Sequence, residues 1–496
     1  MEYDRNDTLE MDLHGLSPDG RTVGRSPEGM TVFVRGGLPG ERVLVRLSHV
    51  KKRMAEAELV RVVKPSSEER PAPCVHAEKC GGCPWQRLPG DRQLAWKTRI
   101  VQDALRRLGR LELPEGVLRP TIGVGDEAEW GYRNKMEFAF AQDENGGTRL
   151  GLRARSSRAV TEVTQCLLQT SRTMAVLEAV RGLCGRFGLR AAPSGRKAGE
   201  RTPKKKNFSS SVRPSDILRF VVIREPRAGG CLVELITLPS PQETANVRKL
   251  GAALMDAGLG VTGFVHSIRA DEADIAYGEE TAFTLGEARL SETLHLQGRD
   301  VTFTLDHNSF FQVNSRAAEL LYNTAADLAS SLFSGEGGFR GGECWDIYCG
   351  AGGLALTMSP HFARVFGMES VAQAVELASV NAQRLREETT FRFACGDAAR
   401  LESIFRERGV PDLIVTDPPR AGMDEKTVQA LLKHRPPRLV LVSCNPATLA
   451  RDLALLSQAY DIRAVQPVDL FPQTPHVETV AALSLSAHEA RTDRRA

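Results

Sequence analysis

The chain contains no apolar run that reaches the ~18 consecutive residues a membrane-crossing helix requires, and its first residues (MEYDRNDTLEMD) are acidic and polar, without a leader pattern. These absences predict a cytoplasmic protein. Charge of one sign is not in excess either: 65 Lys and Arg against 62 Asp and Glu leave a net +3, so the total does not announce a nucleic-acid partner. No internal repeat is visible. The phosphate cradle G-x-x-x-x-G-K-[ST] is missing, as is a full G-x-G-x-x-G dinucleotide pattern. No histidine pair stands at zinc-finger spacing.

What is present is a globular composition, 42% hydrophobic and 26% charged, over 496 residues. That length exceeds one ordinary core and predicts two to four domains. Charge is uneven along it. Between Arg186 and Arg224 eleven Lys or Arg face only Glu200 and Asp216, with Lys204, Lys205 and Lys206 in a row. Such a patch can neutralise phosphates; it is equally the composition of a solvated insertion.

Residues 1–68 read as a small β unit. Val43, Val45 and Leu47 alternate like a half-buried strand, and the Gly-Gly-Leu-Pro-Gly turn at 36–40 separates two apolar runs. An OB-type five-stranded barrel, a common RNA binder, is the expectation. Residues 96–110 read as a helix with Ile100, Leu105 and Leu108 on one face. Residues 69–305 mix strand-like runs (Lys135–Ala141, Leu218–Arg224, Cys231–Leu238) with helical ones, an α+β domain. From residue 306 the chain alternates short apolar runs (Cys344–Ile347, Val365–Met368, Leu413–Thr416, Leu439–Ser443) with helical stretches. That alternation predicts an α/β, doubly wound parallel sheet whose ligands bind beyond the carboxyl ends of the strands.

Those ends carry chemistry. Asp346-Ile-Tyr-Cys-Gly-Ala-Gly352 ends one strand with a glycine turn that lets a ligand approach the backbone. Glu369 ends the next run and can hold ribose hydroxyls; Asp397 can accept from an adenine amine; Asp417-Pro-Pro-Arg420 marks the lip of a substrate pocket. With no phosphate cradle, a nucleoside without phosphates fits best, and S-adenosylmethionine is one.

Ser443-Cys444-Asn445-Pro446 sets a thiol at another strand end, just before a helix over 447–458 whose dipole is expected to lower the thiol pKa. Cys184, Cys231, Cys344, Cys349 and Cys395 read instead as small buried hydrophobes. A thiolate added to C6 of uracil makes C5 nucleophilic toward a methyl sulfonium, and a base must then take the C5 proton. Glu478 is the candidate base, since the apolar loop Phe471-Pro-Gln-Thr-Pro475 can desolvate it and raise its pKa; His476 competes. Cys74, Cys80, Cys83 and, later, Cys166 form a group with metal-binding character. Zinc and an iron–sulfur cluster both suit four thiols, and His76 could substitute in a zinc site.

Taken together, Ser309-Phe-Phe-Gln-Val-Asn314, the 346–352 turn, Asp417-Pro-Pro-Arg-Ala-Gly422, Ser443-Cys-Asn-Pro-Ala-Thr-Leu-Ala-Arg-Asp452 and Phe471-Pro-Gln-Thr-Pro-His-Val-Glu478 resemble the bacterial RNA uracil-5-methyltransferases, most closely the 23S ribosomal RNA branch. Residues 1–68 resemble a TRAM domain. The resemblance implies Cys444 as nucleophile, Glu478 as base, and Gln312, Tyr348, Glu369, Asp397 and Asp417 as cofactor contacts. It implies a [4Fe–4S] cluster on Cys74, Cys80, Cys83 and Cys166, RNA as partner (ribosomal, with the T-loop of tRNA as the alternative), and a monomer. Asp-Pro-Pro replaces the more usual Asp-Pro-Ala of that family, and the insertion around Lys204–Lys206 is longer. Three other readings compete. An amino-group methyltransferase would need an aromatic where Arg420 stands, and a radical methylthiotransferase would need C-x3-C-x2-C. A non-catalytic RNA-binding protein would leave Cys444 and Glu478 idle.

Overall fold

The computed structural model describes residues 3–155, 157–193, 213–271, 273–333, 341–385 and 388–487. The basic stretch at Lys204–Lys206 lies outside the described residues. Among the described residues no helix is long and apolar enough to cross a membrane.

Five strands, β1 (Thr8–Leu16), β2 (Thr22–Arg25), β3 (Thr31–Arg35), β4 (Arg42–Lys51) and β5 (Met54–Lys64), close into a barrel in the order β1-β2-β3-β5-β4. Alternation dictates the wall: Val32, Val34, Val43, Val45, Leu47, Ala55 and Ala57 point inward and are shut off from solvent. The cysteine-bearing segment follows, and then helix α1 (Gly90–Arg107). This helix begins six residues before the hydrophobic pattern suggests. Its first inward positions are Gln93 and Lys97, polar but buried, and they continue the stripe of Ile100, Val101, Ala104 and Leu105. Leu108, expected on that face, is exposed just past the helix end.

The central body is an eight-stranded sheet. Its strands are β6 (Lys135–Gln142), β7 (Thr148–Arg153), β8 (Val160–Glu162), β9 (Arg190–Ala191), β10 (Asp216–Arg224), β11 (Leu232–Thr237), β12 (Gly263–Ile268) and β13 (Glu280–Gly286). They run β13-β12-β11-β10-β6-β7-β8, with β9 beside β10, and helices α2 (Ser171–Arg186) and α3 (Thr244–Met255) pack against each other over it. A hairpin, β14 (Arg289–Leu296) and β15 (Arg299–Asp306), comes next. Its inward residues Leu294, Leu296, Val301, Phe303 and Leu305 join the core of the following body, not the central one.

That body is a seven-stranded sheet of β16 (Glu343–Ile347), β17 (Arg364–Glu369), β18 (Thr390–Cys395), β19 (Leu413–Thr416), β20 (Arg438–Ser443), β21 (Tyr460–Val468) and β22 (Glu478–Leu485). The order is β18-β17-β16-β19-β20-β22-β21, and the first five strands are parallel. Helices α4 (Ser315–Ser331), α5 (Gly353–Met358), α6 (Ala372–Arg384), α7 (Leu401–Arg408), α8 (Glu425–His434) and α9 (Pro446–Leu456) cover both faces. Burial on both faces is why these strands read as unbroken apolar runs. In β20, Val440 and Val442 enter one core while Leu439 and Leu441 enter the other. The sheet reverses direction of growth between β16 and β19, which is where a doubly wound sheet opens a crevice. β22, absent from the sequence-based expectation, is antiparallel to both neighbours. α1 packs on α9, and residues 117–122 run beside β21, so the cysteine-bearing region is built onto the catalytic sheet.

Candidate active site

A cleft of about 1200 Å³ opens at the carboxyl ends of β16–β20. Its walls include Gln312, Tyr348, Glu369, Asp397, Asp417, Cys444, His476 and Glu478, so all seven predicted cofactor and catalytic residues meet in one place, together with the competing base. Each arrives by backbone geometry. Tyr348 sits at φ +72°, a left-handed turn that bends the chain at the end of β16, and Gly352 at φ +93° starts α5. Glu369 ends β17. Its Oε2 accepts from Gly350 N (3.2 Å) and its Oε1 from Val371 N (3.0 Å), which fixes the carboxylate across the glycine turn. Asp397 follows β18, spends Oδ1 on Ala399 N (2.8 Å) and lines the cleft. Gln312 is buried, and its carbonyl accepts from Asn134 Nδ2 (3.1 Å), a link to the central body.

The meeting of Cys444 and Glu478 is a matter of register. Ser443, the last residue of β20, pairs with Thr479 of antiparallel β22. Cys444 and Glu478, each one residue beyond that pair, both line the cleft, and the Glu478 carboxylate is near enough to act on the thiol. Asn445 then caps α9 through Ala447 N (3.1 Å) while its Nδ2 donates to Arg420 O (2.9 Å). This clamps the Ser-Cys-Asn-Pro turn to the Asp-Pro-Pro-Arg loop. Gly422 (φ +77°) completes the clamp, because a Cβ there would meet Arg451 and Asp452.

Electrostatics in the cleft correct one expectation. The Cys444 thiol is not lowered by α9. Burial first, then the Glu478 and Asp417 carboxylates, push it up to about 11, with Arg420 opposing. Burial raises Glu478 to about 8, helped by Asp417 and again opposed by Arg420. Asp417 is raised to about 6 and Asp346 to about 8, both chiefly by burial. His476 opens onto the cleft; its crowded walls and the cations Arg420, Lys97 and Arg133 lower it to about 4, so it stays neutral. Three residues went without a role in the sequence reading. Asp346, whose Oδ2 accepts from Ala355 N (2.8 Å), was visible in its motif. Arg133 and buried Tyr322 line the cleft from segments with no motif around them, and only folding reveals them.

Cys74, Cys80, Cys83 and Cys166 are half-buried in one region, near enough to act on each other's ionisation. Cys83 is driven to about 12 and Cys166 to about 11, mainly by burial and then by the neighbouring thiols. Among the described residues no three His, Cys, Asp or Glu side chains converge as a metal-holding group. His76 is engaged otherwise, since its Nε2 accepts from Thr164 N (3.1 Å). One further correction concerns Cys395, which is exposed.

Known proteins resemble this chain in sequence and fold. The profile described as tRNA (uracil-5-)-methyltransferase matches residues 267–486, and the TRAM domain matches residues 4–60. An uncharacterized RNA methyltransferase of Nitratidesulfovibrio vulgaris is 43% identical over 485 residues, covering 96% of each chain. The chain belongs to the RNA uracil-5-methyltransferase family. A second relative of this methyltransferase, an uncharacterized RNA methyltransferase of Halalkalibacterium halodurans, is 32% identical over 97% of this chain and 98% of that one. In fold it is similar to the Pyrococcus abyssi tRNA (uracil-54, C5)-methyltransferase solved with S-adenosyl-L-homocysteine, at a TM-score of 0.68 and 23% identity, covering 96% of this chain and 100% of that one. The enzyme is thus an S-adenosylmethionine-dependent RNA methyltransferase with an N-terminal TRAM barrel.

Proposed function

We propose that this enzyme methylates C5 of a uridine in RNA, with Cys444 as nucleophile and Glu478 as base. The observation that carries the reading is that Cys444 and Glu478, brought together at the end of the paired strands β20 and β22, line one cleft with the candidate cofactor residues. Gln312, Tyr348, Glu369, Asp397 and Asp417 are proposed to hold S-adenosylmethionine, which supplies an electrophilic methyl group. Cys444, having given up its proton, bonds C6 of the uracil as the thiolate and places negative charge on C5, which takes the methyl as the sulfonium S–C bond breaks and S-adenosylhomocysteine is left. Glu478 then accepts the C5 proton, the C6–S bond breaks, and the thiolate returns. The target base must leave its stack to present C5 and C6 to this cleft. Arg420, the cation acting on both groups, favours their ionised forms.

The four clustered thiols are proposed as a soft-metal site. Their donor chemistry suits one, and the family resemblance gives [4Fe–4S] as its content; no chemical step passes through it. Iron, sulfide and zinc assays on protein purified without oxygen decide the content, and absence of all three discards the site.

Ribosomal RNA of the large subunit is the proposed target, on the same resemblance. A tRNA uridine is the second reading, favoured by the description of the matching family and by the tRNA activity of the Pyrococcus abyssi neighbour. The test is transfer from labelled S-adenosylmethionine to total RNA of a methylation-deficient host, with nucleoside digestion and mapping. 5-Methyluridine at one large-subunit position confirms class and target. The same nucleoside in tRNA moves the target, and a methylated amine overturns the chemistry. We expect Cys444→Ser to abolish turnover and to bind S-adenosylhomocysteine as before, and Glu478→Gln to accumulate a covalent protein–RNA species on denaturing gels. Normal turnover by Cys444→Ser discards the nucleophile.

A further inference from the structure

Glu478 is reached through residues 469–476, an irregular stretch that is nonetheless held by hydrogen bonds along most of its length. Four successive carbonyls each accept from a different part of the chain: Leu470 O from Asn314 Nδ2 (3.0 Å), Phe471 O from Lys97 Nζ (3.1 Å), Pro472 O from Tyr132 Oη (3.1 Å) and Gln473 O from Trp85 N (3.0 Å). Lys97 also pairs with Asp469 Oδ1 (2.5 Å). Pro475 lies against Gly20 of the barrel.

Gln473 is the hub. It is wholly buried and holds φ +72°, a left-handed conformation that is costly for a non-glycine residue and persists only where the surroundings enforce it. The enforcement is a closed set of amide bonds. Gln93 Nε2 donates to Gln473 Oε1 (2.8 Å) while Gln93 Oε1 accepts from Gln473 N (2.7 Å). Gln473 Nε2 donates to Glu129 Oε2 (3.1 Å), which also takes Arg70 Nη2 (2.8 Å). Arg70 Nη2 lies 3.3 Å from Gln473 Oε1, and its Nε donates to Gln86 O (3.1 Å). Gln86 in turn accepts from Cys74 N (3.2 Å) and donates to Cys83 O (3.2 Å). The network thus runs from the backbone of the cysteine-bearing segment, through Gln86, Arg70 and Glu129, to Gln473, five residues from the base.

A polar network of this kind is not what packing alone demands, since an apolar side chain at 473 would fill the same space without three side-chain partners, Gln93, Glu129 and Arg70, to satisfy. We propose that Gln473 is a positioning residue for Glu478: through Gln93, Glu129 and Arg70 it makes the cysteine-bearing segment set where the base stands. The proposal rests on Glu478 being the base. It gives that segment a role in catalysis that needs no electron transfer.

The test separates positioning from folding and from the base assignment itself. Gln473→Gly keeps the left-handed backbone and removes the amide. We expect kcat to fall about 100-fold, the scale of a 1 Å misplacement, and the covalent protein–RNA species to accumulate as in Glu478→Gln, with unchanged affinity for S-adenosylhomocysteine. Gln473→Glu alone sets a second carboxylate against Glu129 and should trap the same species. The exchange Gln473→Glu with Glu129→Gln swaps donor and acceptor, keeps an anion beside Arg70, and should restore turnover. Normal turnover by Gln473→Gly overturns the proposal, as does loss of activity without the trapped species when Glu478→Gln does trap it, or failure of the exchange to rescue. If Glu478→Gln itself traps nothing, the base assignment falls, and the positioning role falls with it.

Discussion

At the scale of single residues, the cleft is tuned against the charge its chemistry needs. Cys444 lies near about 11 and Glu478 near about 8, because burial and the Asp417 carboxylate penalise a further anion more than the start of α9 rewards one. A helix terminus acts over a turn and is worth about 1 kcal/mol at most in ordinary settings; removing a group from water is worth more. As the proposed base, Glu478 must be a carboxylate to take the C5 proton, and below about 8 it holds its own proton. kcat/KM should therefore rise with pH through about 8 rather than fall. Arg420 lowers both groups, so Arg420→Ala should move that rising limb to higher pH. A profile flat from pH 6 to 9, in either protein, would show that neither group titrates as the site requires. The residues themselves were legible because their motifs are short and dense in unusual types. Their ionisation was not, because burial depends on what folds over them.

At the scale of elements, the strands that could be read were those buried on both faces, such as Leu413–Thr416, where an apolar run has no other explanation. β22 was missed, although it is equally apolar, because nothing local says that it runs antiparallel between β20 and β21. The meeting of Cys444 with Glu478 was hidden with it. α1 was read six residues short for the opposite reason: its first inward residues are Gln93 and Lys97, which look like surface. Lys97 and Asp469 show what such a polar stripe costs and what it secures. Both are buried, and breaking one side of a buried pair leaves an uncompensated charge worth roughly 3–5 kcal/mol. Lys97→Met should destabilise by about that much in denaturant titration. Lys97→Met combined with Asp469→Asn, which keeps an acceptor for Phe471 N, should recover most of it. If the double variant is no more stable than the single one, the cost is packing and not charge.

At the scale of the molecule, three acids gathered at one sheet edge make folding and pH oppose each other. Asp346 and Glu478 keep their protons to about 8 and Asp417 to about 6, whereas in the unfolded chain all three ionise near pH 4. Between those limits the folded state binds more protons than the unfolded one, so stability falls as pH rises. Buried His266 and the cleft-facing, exposed His476, both lowered to about 4, act in the other direction (His476 the more weakly, being open to solvent), but only below their unfolded pKa near 6.5. The clean window is therefore about pH 6.5 to 8, where Asp346 and Glu478 alone among these groups are still unmatched. Melting temperature should decline across it, and Asp346→Asn should decline less. In the proposed placement of the cofactor a cationic ligand reverses the penalty, because its charge sits against the carboxylates that ionise. S-adenosylmethionine carries a positive sulfonium and S-adenosylhomocysteine a neutral thioether. The melting-temperature gain from the first, relative to the second, should accordingly grow from pH 6.5 to pH 8 in the wild-type enzyme and grow less in Asp346→Asn. A gain that is independent of pH would mean that these carboxylates do not face the sulfur, and that their raised pKa values serve only the interior of the fold.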